Sequence, residues 1–164
     1  MPHIHKFTES EQVYVSKAEQ YCATNEQCRS AVRDKLRTWG ADKDLTERIV
    51  EHLVDNDFIN EERYCRIYCD SKVNLQKWGR IKIAYQLRSK RIDNKTIDMA
   101  LKNIDEQVYL DTLQNLAETK ANSINENDPH KRKAKLTNFL SSHGFTATEI
   151  ENALSKIGNG NTRD

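Results

Sequence analysis

Seven cationic side chains and no acid lie between Lys72 and Arg91: Lys72, Lys77, Arg80, Lys82, Arg88, Lys90 and Arg91. Trp78 and Tyr85 are interleaved with them. Ammonium and guanidinium groups at this density bind phosphate oxygens, and aromatic rings stack on bases. The same set can meet an acidic protein surface, or it can be a solvated helix face. Because the run is long, single-signed and confined to one section of the chain, it favours a binding surface. Trp78 and Tyr85 are read first as core residues, with Trp78 also available as an anchor in a contact.

Other chemistry is absent from the pattern. No Gly-x-x-x-x-Gly-Lys-Ser/Thr loop, Gly-x-Gly-x-x-Gly turn or Gly-x-Ser-x-Gly elbow occurs, so no phosphate-cradling or nucleophile motif is present. Glu61 and Glu62 are adjacent at a helix start, diverge, and fit a capping role better than acid–base work. Cys65 and Cys69 share a helix face, whereas Cys22 and Cys28 lack a usual zinc spacing. The four cysteines are read as small packing residues. The five histidines form no His-Glu-x-x-His cluster, and His3 and His5 are expected to be solvated in a tail. No catalytic residue, metal or cofactor is expected.

The chain has 164 residues, 26 Lys and Arg, 25 Asp and Glu, and a net charge of +1. That total hides segregation. Residues 1–62 hold 8 Lys and Arg against 13 Asp and Glu, residues 63–104 hold 11 against 3, and residues 105–164 hold 7 against 9. Five Gly and two Pro are too few for a turn-rich β fold. No apolar run approaches the ~18 residues of a membrane span, and the first ten residues carry no apolar signal region. A reducing, cytoplasmic setting is expected.

The elements that must carry the basic run form a repeat. Leu36, Leu87 and Leu140 are anchors. Val32, Ile83 and Leu136 precede them by four residues, while Gly40, Arg91 and Gly144 follow by four and Ala41, Ile92 and Phe145 by five. Ile49-Val50, Ala100-Leu101 and Ala153-Leu154 come next, then Leu53, Ile104 and Ile157. This is helix, turn, helix at the 3.6-residue period. A third helix precedes each pair, over roughly 10–24, 60–76 and 105–123. Tyr64, Tyr68, Ser71 and Leu75 are expected to form the stripe of the middle one, and Val108, Leu110, Leu113, Leu116 and Ala117 that of the last.

The fold class is therefore all-α: three tandem three-helix repeats in an elongated, curved helical array. The boundaries are a tail at 1–8, repeats at 9–57, 58–104 (the basic one) and 105–157, and a tail at 158–164. Thr8-x-x-Glu11, Thr24-x-x-Gln27, Asp44-x-x-Glu47 and Thr146-x-x-Glu149 fit capping boxes. Asn60 and Asp128-Pro129 fit helix starts. Gly40 and Gly144 fit left-handed helix ends. Arg91 occupies the same register, so its turn is expected to close differently. Lys131-Arg132-Lys133 is read as a solvated first turn.

The run from Ile59 to Tyr68, then Lys72, Lys77-Trp78-Gly79-Arg80-Ile81-Lys82-Ile83 and Leu87 to Ile92, resembles the RecX family. Arg63-Tyr64 and Tyr68 match its Arg-aromatic pair and following aromatic, Gly79 its glycine, and Leu87, Lys90 and Ile92 its ending. The resemblance covers roughly 13–157. Three positions depart from the family pattern: Cys65 for alanine, Arg91 for glycine, and Ala41 for a large apolar residue that would leave the first turn less well packed. The resemblance implies a non-enzymatic, monomeric regulator that binds the RecA recombinase and its nucleoprotein filament. It would restrain recombinase, ATPase and co-protease activity, with Arg63, Lys72, Lys77, Trp78, Arg80, Lys82, Arg88, Lys90 and Arg91 as contact residues. The alternative is a helical-repeat protein that binds single- or double-stranded DNA directly, without RecA.

Overall fold

A computed structural model describes residues 5–160. Nine helices and no strand are present among them: α1 Glu9–Thr24, α2 Arg29–Thr38, α3 Lys43–Asp55, α4 Glu61–Asn74, α5 Arg80–Ser89, α6 Asn94–Lys102, α7 Glu106–Ser123, α8 Pro129–Ser142 and α9 Ala147–Gly160. None is long and apolar enough to cross a membrane. The chain divides into two compact units, Met1–Ile67 with Leu87–Ile97, and Tyr68–Gln86 with Asp98–Asp164. The divisions fall within α4, α5 and α6.

In the first unit, Val15, Ala18 and Cys22 of α1 pack with Val32 and Leu36 of α2 and with Leu45, Ile49, Val50 and Leu53 of α3. Phe7, Tyr14, Tyr21, Trp39 and Phe58 close its margin. Arg48 joins α3 to α1 through Glu11 (2.6 Å), and Arg33 joins α2 to α3 through Glu47 (2.9 Å). In the second unit the buried set includes Tyr109, Leu113 and Ala117 of α7, Leu136 and Leu140 of α8, and Ile150 and Ala153 of α9.

The anchor leucines Leu36, Leu87 and Leu140 are fully buried. Each ends its helix in the same way. The backbone N–H of Gly40, Arg91 and Gly144 donates to the carbonyl three residues back, and that of Ala41, Ile92 and Phe145 donates to the anchor carbonyl. This is the Schellman arrangement, which needs a left-handed residue at the turn. Gly40 (φ 100°) and Gly144 (φ 97°) supply it, and so does Arg91, at φ 61°. The middle turn thus closes like its sisters, contrary to expectation, because its hydrogen bonds outweigh the left-handed strain of an L-residue. Ala41 is buried at the first turn.

The capping boxes at Thr8 and Thr146 form with both reciprocal bonds, and Asn60 Oδ1 accepts from the Arg63 N–H. Two others do not form. Asp42, not Asp44, caps α3, accepting from the Leu45 N–H at 2.8 Å. Thr24 ends α1 and donates back to the Gln20 carbonyl, while α2 starts after Cys28 and borrows the Glu61 carboxylate for the Arg29 N–H. The Lys131-Arg132-Lys133 turn is not simply solvated either. Arg132 donates to the carbonyls of Ile124 and Ala121 and so closes the end of α7.

The expected apolar stripes shift. On α4 the buried residues are Cys65, Cys69 and Val73, and Leu75 is exposed. On α7 they are Tyr109, Thr112, Leu113, Ala117 and Ala121, with Val108 and Leu110 outside. None of the four cysteines is in a disulfide and all are buried, and burial pushes the Cys22 and Cys69 thiols up to about 11. The tails are shorter than expected. His5 bonds to Asp55 and Phe7 packs on the first core, and α9 runs on to Gly160. His3 and residues 161–164 lie outside the described residues.

Replacing Arg91 with Gly removes a left-handed L-residue and keeps the turn's hydrogen bonds. The expected result is a gain of up to about 1 kcal/mol in urea denaturation, reduced by glycine's greater freedom in the unfolded chain.

Candidate basic and aromatic surface

The basic run is positioned by the N-terminus of α5. A helix start leaves N–H groups without intrahelical partners, and here tertiary acceptors take three of them. Gly79 N–H donates to the His143 carbonyl at 2.7 Å and Ile81 N–H to the Gly144 carbonyl at 3.0 Å. The Arg80 N–H donates to the Tyr109 hydroxyl at 3.1 Å. The backbones of Gly79 and Gly144 meet so closely that a Cβ on Gly79 would overlap the Gly144 carbonyl. A Cβ on Gly144 would overlap Lys82. His143 Nδ1 also lies 2.9 Å from the Lys77 carbonyl.

Arg80 is bound inward. Its guanidinium sits 4.0 Å from the Tyr109 ring centroid. Its Nη2 donates to Glu106 Oε2 at 2.8 Å and its Nε to the Leu101 carbonyl at 3.3 Å, and Glu149 Oε2 lies 3.7 Å from Nη1. Tyr109 is fully buried and donates its hydroxyl to Glu149 Oε1 at 3.2 Å. Burial holds its phenol well above the usual tyrosine range, and Glu149 adds to the effect. In the first unit, Arg63 is bound as firmly. Its Nε donates to Glu26 at 2.5 Å, its Nη1 to Asp57 Oδ2 at 3.0 Å and its Nη2 to the Asp57 carbonyl at 3.0 Å.

Three of the sequence-derived residues converge in the second unit. The Nζ atoms of Lys72 and Lys82 each lie 4.7 Å from the Trp78 ring centroid, and Lys72 Nζ is also 5.2 Å from the Tyr68 ring. Trp78 is half-buried. Lys77 is exposed, has φ 59°, and donates to the Asn74 carbonyl. Two ammonium groups drawn to one indole repel each other, so an anion bound beside them relieves that repulsion. Tyr85 is 68% exposed and Ile81 55%, which removes Tyr85 from the core. Lys82 Nζ also reaches the Ser142 carbonyl, at 3.5 Å.

The remaining cations belong to the first unit. Arg88 is exposed and bonds Asn94. Lys90 and Arg91 border a cleft of about 330 Å³ with Arg33, Arg37, Asp34, Ser30 and Ser89. The Lys90 carbonyl accepts from Ser30 Oγ at 2.7 Å. Arg33 and Arg37 were not singled out in the sequence, because they lie in the acidic section and only the fold brings them to Arg91.

Family profiles decide what kind of protein carries these features. The RecX second three-helix domain matches residues 60–101, and the RecX third three-helix domain matches residues 107–154. The chain belongs to the RecX family. The RecX regulatory protein of Clostridium tetani is 34% identical over 128 residues, covering 77% of this chain and 58% of that one. That of Clostridium acetobutylicum is 32% identical over 130 residues, covering 77% and 60%. The chain thus spans a little under two thirds of the length of these relatives. The crystal structure of RecX from Lactobacillus salivarius superposes with a TM-score of 0.83 at 24% identity, over 93% of this chain and 99% of that one. The fold is accordingly that of RecX, and the relatives are regulators by name.

The α5 junction makes two expectations. Gly79→Ala forces the two backbones apart and costs about 3 kcal/mol, at the upper end of overpacking penalties, read as a lowered urea midpoint. Tyr109→Phe strands the Arg80 N–H and costs ~1–2 kcal/mol. It also moves the alkaline limb of stability. The folded phenol resists ionisation more than the unfolded one, so the wild type loses stability as pH rises past the ordinary tyrosine value of 10.0. The variant loses less over that window.

Proposed function

We propose that this protein binds a RecA–DNA filament and restrains its recombinase, ATP-hydrolysing and co-protease activities without catalysing a reaction itself. The observation that carries the reading is the Lys72–Trp78–Lys82 cluster, with exposed Lys77 beside it in the chain, in a member of a family of regulators. Lys72, Lys77, Trp78 and Lys82 are the contact residues of the second unit, and Arg88, Lys90 and Arg91 supply further cations on the first. Arg63 and Arg80 support the fold rather than the partner, since both are engaged by internal carboxylates and carbonyls. The protein acts as a monomer in the cytoplasm, through the tandem repeats 9–57, 58–104 and 105–157, and many small contacts add by multivalency.

A second reading is direct DNA binding without RecA. The same indole favours it, because a half-buried ring flanked by ammonium groups suits base stacking next to phosphates.

Reversing charge at Lys72, Lys77 and Lys82 together (K72E, K77E, K82E) spares the Arg80 network. The expected result is at least a ~10-fold rise in the protein concentration that half-inhibits RecA ATPase on single-stranded DNA, about 1.4 kcal/mol of contact energy. Wild-type potency in that variant excludes the cluster as the contact. Titration against bare and RecA-coated DNA at physiological salt separates the two readings. Preference for coated DNA supports the first, while equal or tighter binding to bare DNA, with a steep salt dependence, supports the second.

A further inference from the structure

We propose that His5, Glu51 and Asp55 form a binding site for a divalent transition cation of the Zn²⁺ class. Their candidate ligand atoms, one per residue, all lie within 4.8 Å of one another. Glu51 and Asp55 stand four residues apart on α3, so both carboxylates leave the same helix face one turn apart, the spacing that helical metal motifs use for a ligand pair. His5 comes from the segment before α1. The ligands therefore arrive from two elements.

The His5–Asp55 separation suits a shared ion. His5 Nε2 is 2.9 Å from Asp55 Oδ2, close to the edge between neighbouring ligands around a six-coordinate ion with bonds of about 2.1 Å. The imidazole is held in place. Its side chain is only 10% exposed, it stacks on Phe7 at 6.2 Å, and it meets the His52 ring edge-on at 5.7 Å. His52 is itself fixed, with Nδ1 accepting from Asn56 Nδ2 at 3.3 Å. A hydrogen bond accounts for His5 and Asp55 but not for Glu51, an exposed carboxylate with no ion-pair partner among the described residues. Two carboxylates one turn apart repel, and a cation between them removes the repulsion.

The donor set selects the class of metal. One imidazole nitrogen with two carboxylates suits Zn²⁺ and its neighbours, whereas Mg²⁺ and Ca²⁺ prefer all-oxygen sites. With three protein ligands, water completes the coordination. Bound metal would clasp the segment before α1 to α3 and stabilise the first unit by mass action.

The test is calorimetric titration of the full chain with Zn²⁺, with thermal unfolding followed in parallel. Wild type is expected to bind one ion saturably, to keep it in excess Mg²⁺, and to unfold at a higher temperature when loaded. His5→Ala and Glu51→Gln should each weaken binding at least tenfold and lose the thermal shift. Circular dichroism without metal checks the fold of each variant. If His5→Ala fails to fold, exposed Glu51→Gln decides alone. No saturable binding by wild type overturns the proposal. Binding by Glu51→Gln equal to wild type also overturns it, since the ion would then sit on other histidines or on the cysteines.

Discussion

Where the backbones of Gly79 and Gly144 touch, there is no room for a methyl group, and much of the second unit depends on that contact. It lets the turn after α8 offer two carbonyls to the start of α5. Those carbonyls place partial negative charge at the positive end of a helix dipole, the favourable pairing. The start of α5 in turn fixes where Trp78 and Lys82 stand. A cationic surface is thus held by an uncharged backbone junction. Arg80 shows the converse. It stands in the middle of the same run, yet its charge is spent on Tyr109, Glu106 and Glu149.

The three anchor turns show one piece of backbone geometry filled by different chemistry. Two use glycine and pay no steric penalty. The middle one uses Arg91, and the end of α4 uses Lys77, both at positive φ. Left-handed L-residues are retained when surrounding hydrogen bonds over-determine them, and such outliers gather at functional positions. Both strained residues here are cations of the one basic section. Asp57 is the third case, and its carboxylate is committed to Arg63.

The repeat was legible because it rests on period and spacing. Leu36, Leu87 and Leu140 are buried and their turns share one hydrogen-bond pattern. Capping boxes were legible at Thr8 and Thr146 but not at Thr24, which ends α1 instead of starting a helix. At Asp42-Lys43-Asp44 two acids competed for the cap, and sequence spacing cannot tell which carboxylate reaches the free N–H. The stripes of α4 and α7 were misplaced because the cysteines and Tyr109 carry much of the burial, and the hydrophobic pattern undercounts both types. The candidate surface was legible as a charge run, but the division of labour within it was not. Arg63 and Arg80 look like Lys72 and Lys82 until their partners arrive from 37 and 26 residues away. Tyr109 was missed for the same reason, since its role exists only where three helices meet.

The Gly79–Gly144 junction also has a consequence in time. A ribosome delivers the chain from its N-terminus, and the first unit's α1, α2 and α3 find their partners among near neighbours in sequence. The start of α5 must wait, because His143, which bonds at Lys77, is synthesised 66 residues later. Until then its N–H groups face water and the segment lacks the scaffold that orders it. The basic surface is therefore among the last features of the nascent protein to mature. A chain interrupted before the final helix pair would carry the cations without their arrangement.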